Sequence, residues 1–306
     1  MEEPLPSPIQ NGSIDNEELI DTEKIPVKDS EVVPEDFPIY GTCKEPPLLE
    51  PDVEVQGVHD VLNALSEEER NSLPDENMPL RHFRAEKGHL NDAIRKIKET
   101  LAWRKEFEVD KIIHCFDDDG DAEMRAIIEK ENETGKIYVR GFDREGRAAM
   151  YMRPHHENTH IALNNMRHLV YSLERAIACT KKKSGLEKIV LMIDYENFRI
   201  RDSPPMSTSK WTVSILQNHY PERLFKAYIL NPGFVFRTFF SVIRPFLDPV
   251  TKSKLEMATG TDEKKKKLGQ RFDLSVLEVC SGGEPGAVRT FDSKSYLSIP
   301  FDQGYE

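Results

Sequence analysis

The sequence predicts an α/β protein: a small all-helical unit followed by a lobe built on a mixed sheet. Three observations carry that expectation. Apolar residues recur at helical spacing from Gly57 to about Phe107. From Lys136 the period shortens to that of strands, and the order becomes two strands followed by alternating helices and strands. The formal net charge of −12 resides in the first 55 residues, so the remainder is neutral.

The 306 residues are enough to bury a sizeable core. Residues 1–55 hold nine prolines and 15 acids against the bases Lys24, Lys28 and Lys44. Such a composition buries too little apolar surface to offset ordering entropy. An acidic disordered tail over 1–55 is expected, solvating or recruiting a protein partner. The helical unit is expected over 56–115, the α/β lobe over 116–284 and a C-terminal extension over 285–306. Nucleic acid is excluded as a general partner, because the neutral remainder offers no basic footprint. Cys43, Cys115, Cys179 and Cys280 are widely separated and form no CxxC pair, as expected of reduced cytosolic thiols. No apolar run reaches the roughly 18 residues of a membrane span, and the acidic N-terminus is unlike a signal peptide. A cytoplasmic monomer without metal or cofactor is the expectation.

Within the helical unit, Val58, Val61, Leu62 and Leu65 share one face, and Ser66 with Glu69 reads as a capping box. Pro79 fits the first turn of a helix that carries Leu80, Phe83 and Arg84. Leu90, Ile94, Ile97, Leu101 and Phe107 define a longer helix, with Asn91 as its expected N-cap. The acidic run from Asp117 to Asp121 invites a calcium loop. Ala122 and Ile128 stand where such a loop wants glycine and a carboxylate, so a helix start is expected instead.

In the lobe, Ile137 to Phe142 and Ala148 to Met152 read as strands joined by the turn Asp143 to Arg147. A long helix follows, with Met166, Leu169, Val170, Leu173 and Ile177 on one face. Ile189 to Ile193 is a continuous apolar run suited to a buried parallel strand and ends at Asp194. A helix at 207–219, a strand at 224–230, an aromatic helix and a strand near 254–258 complete the order ββαβαβαβ, which implies right-handed crossovers.

The stretch from Tyr220 to Leu255 combines the most apolar surface with spaced polar groups. Phe236, Phe239, Phe240, Ile243 and Leu247 recur at helical spacing, opposite Arg237, Ser241 and Arg244, and Pro245 breaks the helix. An ordinary core helix would show the same period. The turn that follows sets it apart: Asp248, then Thr251 and Lys254 three residues apart, hence on one side of a helical turn. A hydroxyl and an ammonium converging there suit a phosphate oxygen. Glu222 and Arg223 would add an acceptor for sugar hydroxyls and a second cation.

Pro221-Glu222-Arg223, Ile229-Leu230-Asn231 and the run from Pro245 to Thr251 resemble the CRAL-TRIO lipid-binding domain, and more narrowly its phosphatidylinositol transfer proteins. The resemblance extends from Leu80-Arg81-His82-Phe83-Arg84-Ala85 through Trp103-Arg104 and Asp143 to Arg147, up to Gly282-Gly283, about two-thirds of the chain. It implies a helical N-terminal subdomain and an apolar pocket closed by a mobile gate helix, the segment from Phe236 to Leu247. By matching position, Glu222 and Arg223 would contact the inositol headgroup, Asp248 would position the turn, Thr251 and Lys254 would bind phosphate, and Arg84 would approach the headgroup. The implied ligand is phosphatidylinositol, exchanged in transient contact with membrane surfaces, by a carrier and not an enzyme.

Members that also carry phosphatidylcholine place hydroxyl side chains on the central strand and tyrosines on the first two strands. Here the matching positions are Ile189, Leu191, Val139 and Met150, all apolar. A buried phosphate without donors costs several kcal/mol, so a choline lipid is not expected among these pocket residues. Glu86 stands where the family usually has a base, and His82 replaces an apolar residue. The cluster His155, His156, Glu157 and His160 lacks metal-ligand spacing and is expected to be a surface loop. No nucleophile elbow, Walker loop or dinucleotide fingerprint accompanies Asp194. Two other readings stand beside phosphatidylinositol transfer: a carrier of another hydrophobic ligand such as a tocopherol, retinoid or sterol, and a lipid-sensing signalling scaffold.

Overall fold

The computed structural model describes residues 43–199 and 205–305, and leaves aside the side chains of Val235, Phe239 and Ile243. The helical unit consists of α1 (Pro51–Asn63), α2 (Glu67–Asn71), α3 (Met78–Ala85), α4 (Leu90–Glu106) and α5 (Val109–Ile113). Its first helix starts at Pro51, inside the stretch assigned to the tail. The cause is Glu54, fully buried, whose carboxylate accepts hydrogen bonds from the backbone of Leu48 and Leu49 and from Arg84 on α3. Most of the expected acidic tail, residues 1–42, lies outside the described residues. Val61, Leu65, Met78, Phe83, Ala93, Ile97 and Leu101 form the core of this unit. Gly57 lets α1 lie directly on Phe83, since a Cβ there would meet the ring at 2.2 Å. The capping box of Ser66 and Glu69 is formed as expected. Asn91 is not a cap: α4 begins one residue earlier, after His89. The acidic run ends in Asp121, which caps α6 (Ala122–Asn132) by accepting from the Met124 amide.

The sheet is five-stranded, in the order β1 (Ile137–Phe142), β2 (Ala148–Met152), β3 (Ile189–Asp194), β4 (Leu224–Leu230) and β5 (Leu255–Ala258). The hairpin pair β1–β2 is antiparallel and every later pair is parallel, each reached through a crossover: α7 (Ala162–Ser184), α8 (Met206–His219), then α9 (Phe234–Ile243) with α10 (Pro249–Ser253). Pro245 ends α9, and Arg244–Phe246 continues as a single 3-10 turn.

Side chains alternate between the two faces of the sheet. On one face, α7 packs against β1 and β2. Towards β3, β4 and β5 the same face is bounded by α8 and α9, which leave a space between helices and sheet. The other face carries Tyr138 and Tyr151, which hydrogen-bond Glu278 and Ser281 of the segment after α11 (Thr261–Leu268). The C-terminal segment packs along the β1 edge and, through α12 (Ser293–Leu297), against α6 and α7, with Tyr296 and Tyr305 fully buried. Among the described residues no helix is long and apolar enough to cross a membrane.

Candidate functional site

The space between sheet and helices is a cavity of about 730 Å³. Its floor comes from alternate residues of three strands in register: Ile189, Leu191 and Ile193 of β3, Ala227 and Ile229 of β4, and Leu255 of β5. Val213 and Leu216 of α8 form one wall, and Phe236 and Phe240 of α9 another. Phe236 is buried, stacks on Phe240 at 5.4 Å, and meets Tyr195, just past β3, at 4.2 Å. Leu247 borders the cavity after the helix break. The side chains of Phe239 and Ile243, also expected in the gate, lie outside the described residues.

Val139 and Met150 do not border this cavity. They share a sheet face with Leu191, since Met150 pairs in register with both Val139 and Leu191. They lie under α7, however, and are fully buried. From β2 it is Met152, one alternation further along, that reaches the cavity.

One end of the cavity is polar. Asp248 caps α10: one carboxylate oxygen accepts from the Thr251 amide at 2.8 Å, the other from the Thr251 hydroxyl and from Gln217 of α8 at 3.1 Å. Burial raises the Asp248 pKa, but the bonds from Thr251 and Gln217 outweigh it and hold the carboxyl below its usual range. Lys254 follows on the same turn. Its ammonium is 3.7 Å from Glu222, and burial lowers its pKa against the opposing pull of that carboxylate. The same Glu222 oxygen lies 3.1 Å from Lys188. Glu222 has a left-handed backbone (φ 55°), which tips it out of the approach to β4. Glu86 and Lys96, from the α3–α4 corner, border the same end and stand 4.0 Å apart.

Two cations expected here are engaged elsewhere. The Arg84 guanidinium is buried and forms two bonds of 2.8 and 2.7 Å with Glu54. It fastens α1 to α3, and its neighbours Ala85 and Glu86 reach the cavity in its place. Arg223 borders the cavity, but its guanidinium bonds Glu187 at 2.6 Å and Asp75 at 2.9 Å. Arg81 of α3 binds the same two carboxylates. The four side chains tie the helical unit to the starts of β3 and β4. Sequence reading did not single out Lys188, Lys96, Gln217 or Tyr195. Lys188 and Tyr195 flank the β3 apolar run, a placement that could have marked them; Lys96 and Gln217 sit on helices with no distinguishing pattern.

The cluster His155–His156 sits in a surface turn, where His156 Nδ1 lies 2.8 Å from the Thr134 carbonyl. Among the described residues no group of three or more His, Cys, Asp or Glu side chains is placed to hold a metal.

An apolar cavity beneath parallel strands, walled by an aromatic helix and ending in an Asp-capped Thr/Lys turn, is the arrangement to compare. The profile of the CRAL/TRIO domain matches residues 132–283. A CRAL-TRIO domain-containing protein of Saccharomyces cerevisiae is 31% identical over 226 residues, covering 68% of this chain and 71% of that protein. The chain belongs to the CRAL-TRIO domain family. The phosphatidylinositol transfer protein PDR17 of Saccharomyces cerevisiae is 35% identical over 180 residues, which are 57% of this chain and 50% of that protein. A CRAL-TRIO domain-containing protein of Schizosaccharomyces pombe is 37% identical over 199 residues, 64% of this chain but 18% of the relative. This chain thus spans half or less of two of these CRAL-TRIO relatives. The solved structure of Sfh5 has a TM-score of 0.51 at 16% identity, over 73% of this chain and 85% of that one, a likeness of fold.

Proposed function

We propose that this CRAL-TRIO chain carries a phosphatidylinositol between membranes without covalent chemistry. The observation that supports the reading best is the division of one cavity into an apolar body and a polar end. Apolar walls from Ile189, Leu191, Ile229 and Phe236 would replace the bilayer around the acyl chains. At the other end Lys254 would face the phosphate, the Thr251 hydroxyl would exchange Asp248 for a phosphate oxygen, and Glu222 would accept from inositol hydroxyls. Arg84 and the Arg223 guanidinium take structural roles in this reading.

Helix α9 acts as the gate. Its outer face leaves Phe234 85% exposed and Val242 47% exposed beside Arg237 and Arg244, a surface suited to resting on an anionic bilayer at the moment of exchange. Peripheral membrane association follows from the same surface. The names of PDR17 and of a second relative, the phosphatidylinositol transfer protein CSR1 of Eremothecium gossypii at 28% identity, agree with this choice of lipid. A tocopherol, retinoid or sterol would bring no phosphate to Lys254 and Thr251 and no cluster of hydroxyls to Glu222, leaving them with only their contacts to one another, Lys188 and Asp248. Mass spectrometry of lipid co-purified with the full chain tests the assignment. Phosphatidylinositol is expected, and a neutral isoprenoid or sterol in its place would overturn it.

A further inference from the structure

Glu222 is contested. One carboxylate oxygen lies 3.1 Å from Lys188 and 3.7 Å from Lys254. Both lysines are largely shielded, with side chains 13% and 20% exposed, so their charges act on each other through little water. The two are not equivalent. Lys188 immediately precedes β3 and does not border the cavity, whereas Lys254 and Glu222 do. The left-handed backbone at Glu222 fixes where the carboxylate emerges, so its choice of partner is made by the side chains alone. With Lys188 present, the closer ion pair forms on the side away from the ligand.

We propose that Lys188 is a positioning residue: it holds the Glu222 carboxylate and so leaves the Lys254 ammonium available to an anionic phosphate in the cavity. This rests on the phosphodiester reading above and extends it. Remove the Lys188 charge, and Glu222 closes on Lys254, its one remaining cation at this distance among the described residues. The phosphate then competes with an internal carboxylate already in contact with the lysine. Neutralising Glu222 as well frees Lys254 again, at the cost of the acceptor for headgroup hydroxyls. The two substitutions therefore oppose each other, which a simple packing defect at Lys188 would not produce.

The test uses the full chain and donor vesicles of phosphatidylcholine carrying labelled phosphatidylinositol or, in parallel, labelled diacylglycerol with the same acyl chains. The readout is the ratio of phosphatidylinositol to diacylglycerol uptake, which cancels losses in folding or gate opening. Lys188→Met is expected to lower that ratio about tenfold, roughly 1.4 kcal/mol. Lys188→Arg is expected to retain it, and Lys188→Met combined with Glu222→Gln to recover part of the loss. A ratio unchanged in Lys188→Met overturns the inference, as does a double variant no better than Lys188→Met. Wild-type protein that takes up diacylglycerol but no phosphatidylinositol overturns the underlying lipid assignment instead, and this inference with it.

Discussion

Truncating Lys254 to alanine is the most direct perturbation of the polar end. Glu222 keeps Lys188 at 3.1 Å, so the substitution strands no carboxylate, and the cap from Asp248 to the Thr251 amide is untouched. The fold should therefore survive, with a change in thermal midpoint no larger than a partly exposed ion pair supports, about 0–1 kcal/mol. What is lost is a charge-assisted hydrogen bond to the ligand phosphate, worth about 1.5–3 kcal/mol. Lys254 remains 20% exposed and shares Glu222, which places its loss at the lower end of that range. A loss of about 1.5 kcal/mol is roughly a tenfold fall in affinity. Thr251→Val should cost less, about 0.5 kcal/mol. Its one hydroxyl proton already goes to Asp248, so a ligand phosphate would gain only an exchange of acceptors. Transfer of labelled phosphatidylinositol between vesicle populations measures both, with diacylglycerol as the uncharged comparison and thermal unfolding as the check on folding. Undiminished phosphatidylinositol transfer by Lys254→Ala combined with Thr251→Val would refute the reasoning.

Other expectations concern the frame and the range of headgroups. Arg84→Met should cost about 3–5 kcal/mol in denaturant unfolding by leaving Glu54 charged and buried; an equal loss of phosphatidylinositol selectivity in the folded fraction would return Arg84 to the binding site. Burial pushes the His82 pKa down to about 4 and that of His219 to about 3, and holds that of His168 well below its usual value. His82 and His219 stay neutral in the fold while the unfolded chain protonates, so the stability they contribute is full above pH 6.5 and falls with decreasing pH from there to about 4, by about 1.4 kcal/mol per unit for each of the two, and His168 shifts stability in the same direction. Urea titrations at stepped pH values would show the slope, and a flat profile between pH 6.5 and 5 would contradict it. The charged side chains that border the cavity balance, Lys96, Arg223 and Lys254 against Glu86, Glu222 and Asp248, and the Arg223 guanidinium is already held by Glu187 and Asp75. A single phosphodiester charge can be met by Lys254, but further phosphates on the inositol ring would meet carboxylates, so phosphorylated phosphatidylinositols should compete weakly for uptake in the vesicle assay.

The strands were legible because each is short, strongly apolar and bounded by turn residues: β1, β2 and β4 match the expected spans. The Asp248 turn was legible because its geometry is local; an aspartate, a proline and a threonine three residues on define a cap with no help from the rest of the chain. The carboxylate partners of Arg84 and Arg223 were not legible, for the opposite reason. Whether an arginine faces a ligand or a carboxylate depends on Glu54, Asp75 and Glu187, which lie 30, 148 and 36 residues away and carry no local mark of that pairing. Val139 and Met150 were misplaced because strand alternation assigns a face and not a neighbour. Only the path of α7 decides which part of that face is covered by a helix and which part opens onto the cavity.

The same distinction explains how the site works as a unit. Acids elsewhere in the chain take the arginines Arg81, Arg84 and Arg223 into the joints of the scaffold. Lysines remain at the cavity, each opposed by a carboxylate. An arginine free at that end would hold an anion through a rigid fork and release it slowly. Lys254 sits 3.7 Å from a carboxylate that Lys188 holds more closely, so it can meet a phosphate, but the nearby Glu222 charge lowers the net gain on binding. For a carrier that has to surrender its cargo at a membrane, such a reduced gain is useful: it distinguishes a phosphate-bearing headgroup from a neutral one without trapping it. In the proposed reading, burial of the acyl chains along Ile189, Leu191 and Ile229 would supply most of the affinity, and α9 would control when that burial is reversed.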